Sequence, residues 1–203
     1  MMMVMTDSAT RSSPLATVLL ALLLEEPMHA YRMRQLIRER SKDRVVNVTR
    51  TNSVYQTIDR LRRDGLVRVH QTERSAGRPD RTIYEITEHG RATLRQWLDA
   101  MLSTPAREFP EFPAALATIS ATTPANALHQ LRQRAATLAD VIAHAETELT
   151  ASAESVPRLF LIEDEYRIAI HRTELRWIRS IMDDIETGRL TWSQEWLTSL
   201  ARH

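Results

Sequence analysis

The sequence predicts a mainly α fold with one small β-hairpin, arranged as two domains of opposite charge. Three observations predict it. Apolar residues recur at helical spacing through most of the 203 residues. Alternating apolar and polar residues of strand type mark two short runs between residues 66 and 87. A stretch containing Pro105, Pro110 and Pro113 interrupts the helical signal near mid-chain and marks a domain boundary.

Residues 1–13 are rich in Met, Ser and Thr without periodicity and read as a flexible N-terminal arm. Residues 14–103 form the first domain. Its first helix opens at Pro14 and runs from Leu15 to Glu25, apolar on nearly all sides as a central helix must be. A second, amphipathic helix covers about His29 to Arg40, with Tyr31, Met33, Leu36 and Ile37 on its apolar side. The β-branched run Val45–Val48 predicts a short strand. A third helix follows from Thr51 to Asp64, with Val54, Ile58 and Leu61 making one buried stripe and Gly65 ending it. Two strands, Leu66–Glu73 and Arg81–Thr87, are joined as a hairpin through Ser75–Asp80. Thr87 caps a fourth helix that reaches Met101 or Leu102.

Residues 104–203 form the second domain and read as helical throughout. A short helix over Ala114–Ser120 precedes a long one opened by Thr123-Pro124 and extending to about Ser152. In it Leu128, Leu131, Ala135, Leu138, Ile142, Ala145 and Leu149 step by threes and fours, the seam of a coiled coil. Another long helix is predicted from Pro157 to Thr187, stopped by Gly188, with a short aromatic one over Ser193–Ala201.

Charge is distributed unevenly although the net is only +1. Residues 1–103 hold 17 Lys/Arg against 12 Asp/Glu, and residues 104–203 hold 10 against 14. A cationic first domain suits a polyanionic partner. There is no cysteine, so disulfides and Cys-based zinc sites are excluded, and a cytoplasmic location is expected. The longest apolar run, Leu15–Leu24, is about half of what a bilayer requires and lacks the flanks of a signal peptide. With four glycines in the chain there is no phosphate-binding glycine loop and no Gly-x-Ser-x-Gly elbow. The seven histidines follow no metal-ligand spacing, and Glu163, Asp164 and Glu165 splay around a helix instead of converging. No cofactor is expected, and no enzymatic activity.

Three helices followed by a two-stranded ribbon is the element order of a winged helix-turn-helix, whose third helix enters the major groove of DNA. Its outward face here offers Thr51, Asn52, Ser53, Tyr55, Gln56 and Arg60. Asn and Gln can pair bidentately with base edges, whereas hydroxyls reach phosphates. The hairpin adds Arg74, Arg78 and Arg81 around Gly77 and Pro79, a cationic tip suited to a phosphate backbone.

On these residues the sequence resembles the PadR family of bacterial transcriptional regulators over nearly its whole length. The resemblance is carried by Leu19–Tyr31 (LLALLLEEPMHAY), Ser53–Leu66 (SVYQTIDRLRRDGL) and Gly77–Gly90 (GRPDRTIYEITEHG). Where the family usually has His-Gly-Tyr and Gly-Thr-Leu-Tyr-Pro, this chain has His29-Ala30-Tyr31 and Asn52-Ser53-Val54-Tyr55-Gln56, so the family's operator sequence does not carry over. The resemblance implies that Tyr31 and Tyr55 contact phosphates, that the third helix reads bases, that Arg78 and Arg81 serve the wing, and that the output is repression.

The helix over Pro157–Thr187 has two apolar series. Leu161, Ile168, Leu175, Ile178, Met182 and Ile185 make one; Leu159, Ile162, Tyr166, Ala169 and Trp177 make the other. One must cover the Leu128–Leu149 seam and the other a second subunit, and the first series is taken here as the homodimer contact. The second domain resembles the helical dimerisation domain of longer PadR-like proteins. Family members commonly respond to small molecules, and Phe109, Phe112, Phe160, Trp177, Trp192 and Trp196 could line a pocket for an aromatic or drug-like effector. A second reading keeps the fold but has the winged helix contact a protein instead of DNA.

Overall fold

The computed structural model describes residues 12–48, 51–73 and 81–200. The chain divides into two compact units, residues 1–107 and 108–203. The first runs α1 (Pro14–Glu25), β1 (Met28–His29), α2 (Ala30–Glu39), α3 (Thr51–Arg63), β2 (Val67–Glu73), β3 (Arg81–Ile86) and α4 (Glu88–Ser103).

Helix α1 is the centre of this unit. Ser13 Oγ accepts the Ala16 N–H at 3.3 Å, and Pro14 sits at the first position, where its missing N–H goes unneeded. Ala16, Leu19, Leu20, Leu22 and Leu23 are all buried, and α1 packs on α3, α4 and β3. At its far end Glu25 takes two hydrogen bonds from Arg40, at 2.5 and 2.7 Å, which hold its carboxyl below the usual range and tie the ends of α1 and α2.

The expected strand over Val45–Val48 does not form. Lys42–Arg44 is instead a 3-10 turn, and Val46 and Val48 enter the core as apolar plugs. The second edge of β3 is taken instead by β1, which pairs antiparallel with it through Met28↔Tyr84 and His29↔Ile83. The sheet is therefore three-stranded, ordered β1-β3-β2, with a bulge between Val69 and Gln71.

Helix α3 buries Val54, Ile58 and Leu61 and ends at Gly65, whose φ of 70° is the left-handed conformation that favours glycine. The join to α4 is tight. Thr87 Oγ1 accepts the Gly90 N–H at 3.0 Å while donating to Gly65 O at 2.7 Å, so one hydroxyl both caps α4 and fastens it to the start of β2.

The second unit comprises α5 (Glu111–Ala117), α6 (Pro124–Ala153), α7 (Ile162–Glu186) and α8 (Gln194–Leu200). Thr123 caps α6 by accepting the Asn126 N–H at 3.2 Å. Leu131, Ala135, Leu138, Ile142 and Ala145 of α6 meet Ile168, Leu175, Ile178 and Ile185 of α7 in one core. Arg132–Glu186, Arg134–Glu174 and Arg172–Glu146 bridge the two helices at 2.8, 2.5 and 2.7 Å, fixing them antiparallel. At their exposure each pair is worth under about 1 kcal/mol, so apolar burial holds the hairpin and the charges set its register. The long final helix is broken at its start: Arg158–Phe160 is a 3-10 turn, and α7 begins only at Ile162.

The series expected at the dimer contact is already buried by this packing. Leu161, Ile168, Leu175, Ile178 and Ile185 are buried within the chain itself, and Met182 packs against the same core. That series covers the α6 seam. The other one, Leu159, Ile162, Tyr166 and Trp177 with Phe160 and Ile170 beside them, faces solvent. Among the described residues no helix is long and apolar enough to cross a membrane.

Candidate nucleic-acid interface

At 100° per residue, the stripe of α3 opposite Val54, Ile58 and Leu61 is formed by Asn52, Gln56, Asp59 and Arg63, with Tyr55 and Arg62 along one flank. All six are exposed. The face is thus polar and amide-bearing at its N-terminal half and cationic at its C-terminal half. Ser53 is half-buried on the other flank. Thr51 begins the helix. The two cations Arg62 and Arg63 escaped sequence reasoning, although the same helical count that selects Gln56 places Arg63 within about 20° of it.

Arg60, expected on this face, has a partner within the chain. It is half-buried, and its Nη2 donates to Ser13 Oγ at 3.1 Å, bracing α3 against the start of α1. Its Nε is buried with no acceptor. A long side chain on the edge of the stripe has found an intramolecular partner.

Helix α2 presents Tyr31, 65 % exposed, in its first turn, and α3 presents Tyr55 at 46 %, so neither ring belongs to the core. His29 fixes this end of α2. Its backbone lies in β1 against Ile83 of β3, and its Nδ1 accepts the Arg32 N–H at 2.9 Å, with its ring 6.1 Å from that of Tyr31. On the wing, Glu85 of β3 accepts from Arg68 at 2.7 Å and lies 3.2 Å from His70 Nδ1; the Arg68 hydrogen bond above all lowers its carboxyl below the ordinary range. Arg81 opens β3, while Arg74 and Arg78 lie outside the described residues.

The aromatic residues of the second unit divide. Phe112 and Trp192 pack on the α6–α7 core, Trp192 donating its indole N–H to Thr122 O at 2.6 Å. Phe112 meets Trp177 edge-on at 6.3 Å, and the Arg134 guanidinium lies 3.8 Å above the Phe112 ring. Phe109, Phe160 and Trp196 are exposed. Among the described residues no three His, Cys, Asp or Glu side chains are grouped to hold a metal ion.

Residues 19–96, spanning α1 to α4, match the transcriptional regulator PadR-like family. Over this domain the chain is similar to that family. PadR-like proteins are regulators of transcription and not enzymes. No curated protein matches the chain in sequence. Its fold, mostly helical with a small three-stranded antiparallel sheet and a C-terminal helical region, recurs in solved structures. Bacillus subtilis PadR in complex with operator DNA is 16 % identical with a TM-score of 0.68, the match covering 84 % of this chain and 98 % of that one. The same organism's PadR in complex with p-coumaric acid is 15 % identical, with a TM-score of 0.67 over 86 % and 99 %. The Vibrio cholerae virulence activator AphA is 17 % identical, with a TM-score of 0.64 over 86 % and 99 %. At these identities the likeness is one of fold.

Proposed function

We propose that this PadR-like chain binds double-stranded operator DNA as a homodimer and represses transcription there. The observation that carries the reading is the outward face of α3, where Asn52 and Gln56 stand exposed over a fully buried Val54, Ile58 and Leu61. Such amides pair with adenine edges in the major groove. Tyr31, Tyr55 and Thr51 reach the flanking phosphates, and Arg74, Arg78 and Arg81 let the β2–β3 wing follow the backbone. Bacillus subtilis PadR, which shares the fold, has been solved on operator DNA. With DNA as its ligand, the chain works in the cytoplasm.

The second copy covers the exposed stripe of Leu159, Phe160, Ile162, Tyr166, Ile170 and Trp177. Two α3 helices then meet half-sites about one DNA turn apart. Repression is the simplest output, since a dimer seated on a promoter excludes polymerase. An aromatic small molecule is the effector class that the rings of Phe112 and Trp177 suit, and Bacillus subtilis PadR, which shares the fold, has been solved with p-coumaric acid.

The test is fluorescence anisotropy of the full chain with DNA from upstream of its own gene and with a scrambled duplex, across a salt series. Selective binding that weakens steeply with salt is expected. Gln56→Ala should flatten preference at one base position by about tenfold. Binding to neither duplex at any salt overturns the reading and favours a protein partner for the winged helix. Addition of p-coumaric acid to the complex should release the labelled DNA.

A further inference from the structure

We propose that Asp59 is a specificity-determining residue, its carboxylate accepting a hydrogen bond from the N4 amine of a cytosine in the major groove. The inference rests on the DNA-binding reading above. Asp59 lies on α3 between Asn52 and Tyr55 in helical projection, close to the middle of the exposed face. It is the one acid there among Asn52, Tyr55, Gln56, Arg62 and Arg63.

Among the described residues little rewards a carboxylate at this place. It sits just before the last turn of the helix, where Arg60, Arg62 and Arg63 suit the macrodipole and an acid gains nothing from it. Its contact with Arg62 is 4.0 Å long between side chains that are both more than half exposed, an ion pair of little consequence. Arg63 bonds the Asp59 main-chain oxygen at 3.4 Å, which any residue would provide. Facing DNA, the carboxylate repels phosphates and rejects the acceptors of guanine and thymine. Only exocyclic amines can compensate it in the groove. Adenine sets its N6 amine beside the N7 acceptor, which repels a carboxylate, whereas the cytosine edge offers the N4 amine alone. Asp59 therefore lowers affinity for DNA in general and recovers it where a C·G pair stands opposite.

The experiment uses full-length wild type, Asp59→Ala and Asp59→Asn. Wild-type protein first selects its preferred duplex from a random pool; each position is then changed in turn, and affinities for these and a scrambled duplex are read by anisotropy at one salt concentration. For the wild type, one C·G pair per half-site should cost about tenfold when replaced. In Asp59→Ala that loss should shrink to less than about twofold while scrambled DNA binds about threefold tighter. Asp59→Asn should shift the preference at the same position toward A·T, because an amide pairs with both N6 and N7 of adenine. Melting curves confirm that the variants are folded, and Asp59→Asn, nearly isosteric, carries the test if the alanine variant is not. The proposal is overturned if base preferences survive both substitutions, or if scrambled DNA binds Asp59→Ala no tighter. A wild type that binds no duplex refutes the DNA reading itself, before any Asp59 variant is compared.

Discussion

Replacing Gly90 by alanine sets two effects of opposite sign against each other, and their magnitudes decide which wins. Inside a helix alanine is better than glycine by about 1 kcal/mol, and by less in the first turn of α4, where Gly90 lies. Against that gain, a Cβ on Gly90 would stand 2.1 Å from the Leu66 carbonyl oxygen and 2.8 Å from Ile86 Cγ1. Ordinary contacts are near 3.5 Å, so α4 and the foot of the wing would have to part by roughly 1.4 Å. The Leu66 oxygen cannot swing aside: it is backbone, and it accepts the Thr87 N–H at 3.0 Å. Overpacking of this kind costs about 1–3 kcal/mol, or more where backbone must move. The net expectation is a loss of about 2 kcal/mol, which lowers the melting temperature of a domain this size by about 10 °C. Circular dichroism and calorimetry of Gly90→Ala beside wild type read it directly. A variant that melts at or above the wild-type temperature refutes the reasoning, because propensity would then have outweighed the clash.

Arg60→Ala should lower the melting temperature by a few degrees, the worth of about 1 kcal/mol for its lost hydrogen bond to Ser13, while base preferences on a substituted operator set stay as they were. Changed preferences would return Arg60 to the reading face. Glu85, held below its ordinary value of 4.5 chiefly by the Arg68 hydrogen bond, stabilises the wing above that pH and loses this contribution as pH falls through its lowered value. Melting temperature should therefore decline below pH 4.5 in wild type and decline less in Glu85→Gln; equal slopes would count against the pair. In the second unit, Ile178→Ala should cost about 2–5 kcal/mol of stability, because Ile178 is wholly buried between α6 and α7. Tyr166→Glu, on the solvent-facing stripe, should leave the fold intact and shift sedimentation from dimer to monomer. A dimer that survives both Tyr166→Glu and Trp177→Glu would rule that stripe out.

Signals that act within one helical turn were legible in the sequence. Thr87 and Thr123 cap the helices they precede, and Gly65 and Gly188, at φ of 70° and 73°, end the helices they follow. The apolar stripe of α3 told which side is core, and hence which side is free to meet a ligand. What escaped was whatever depends on residues far apart in the chain. A two-residue strand has no period of its own, and β1 exists because β3 offers it an edge more than fifty residues on. The hydrogen bond of Arg60 reaches back 47 residues to Ser13, so its position on the helix suggested solvent where the tertiary structure supplied a partner.

The two stripes of α7 show a third kind of gap, one where the sequence held an answer that spacing alone does not reveal. Both series recur at helical intervals, so periodicity gives each an equal claim on the α6 seam. Their chemistry differs. The series that turned inward, Leu161, Ile168, Leu175, Ile178, Met182 and Ile185, has no polar atom beyond a thioether sulfur, and it faces a seam of Leu, Ile and Ala. The outward series contains Tyr166, 70 % exposed, and Trp177, 44 % exposed, rings whose hydroxyl and indole N–H would need partners in a dry core and find them easily at an interface rim. Where one helix has two apolar stripes, the wholly aliphatic one belongs to the core because it leaves no hydrogen bond unmade. The stripe with amphipathic aromatics stays outward, where its hydroxyl and indole N–H can reach water. Exchanging Tyr166 and Trp177 for leucine should therefore raise self-association while promoting aggregation, and a chain that stays soluble and purely dimeric after both changes would contradict this rule.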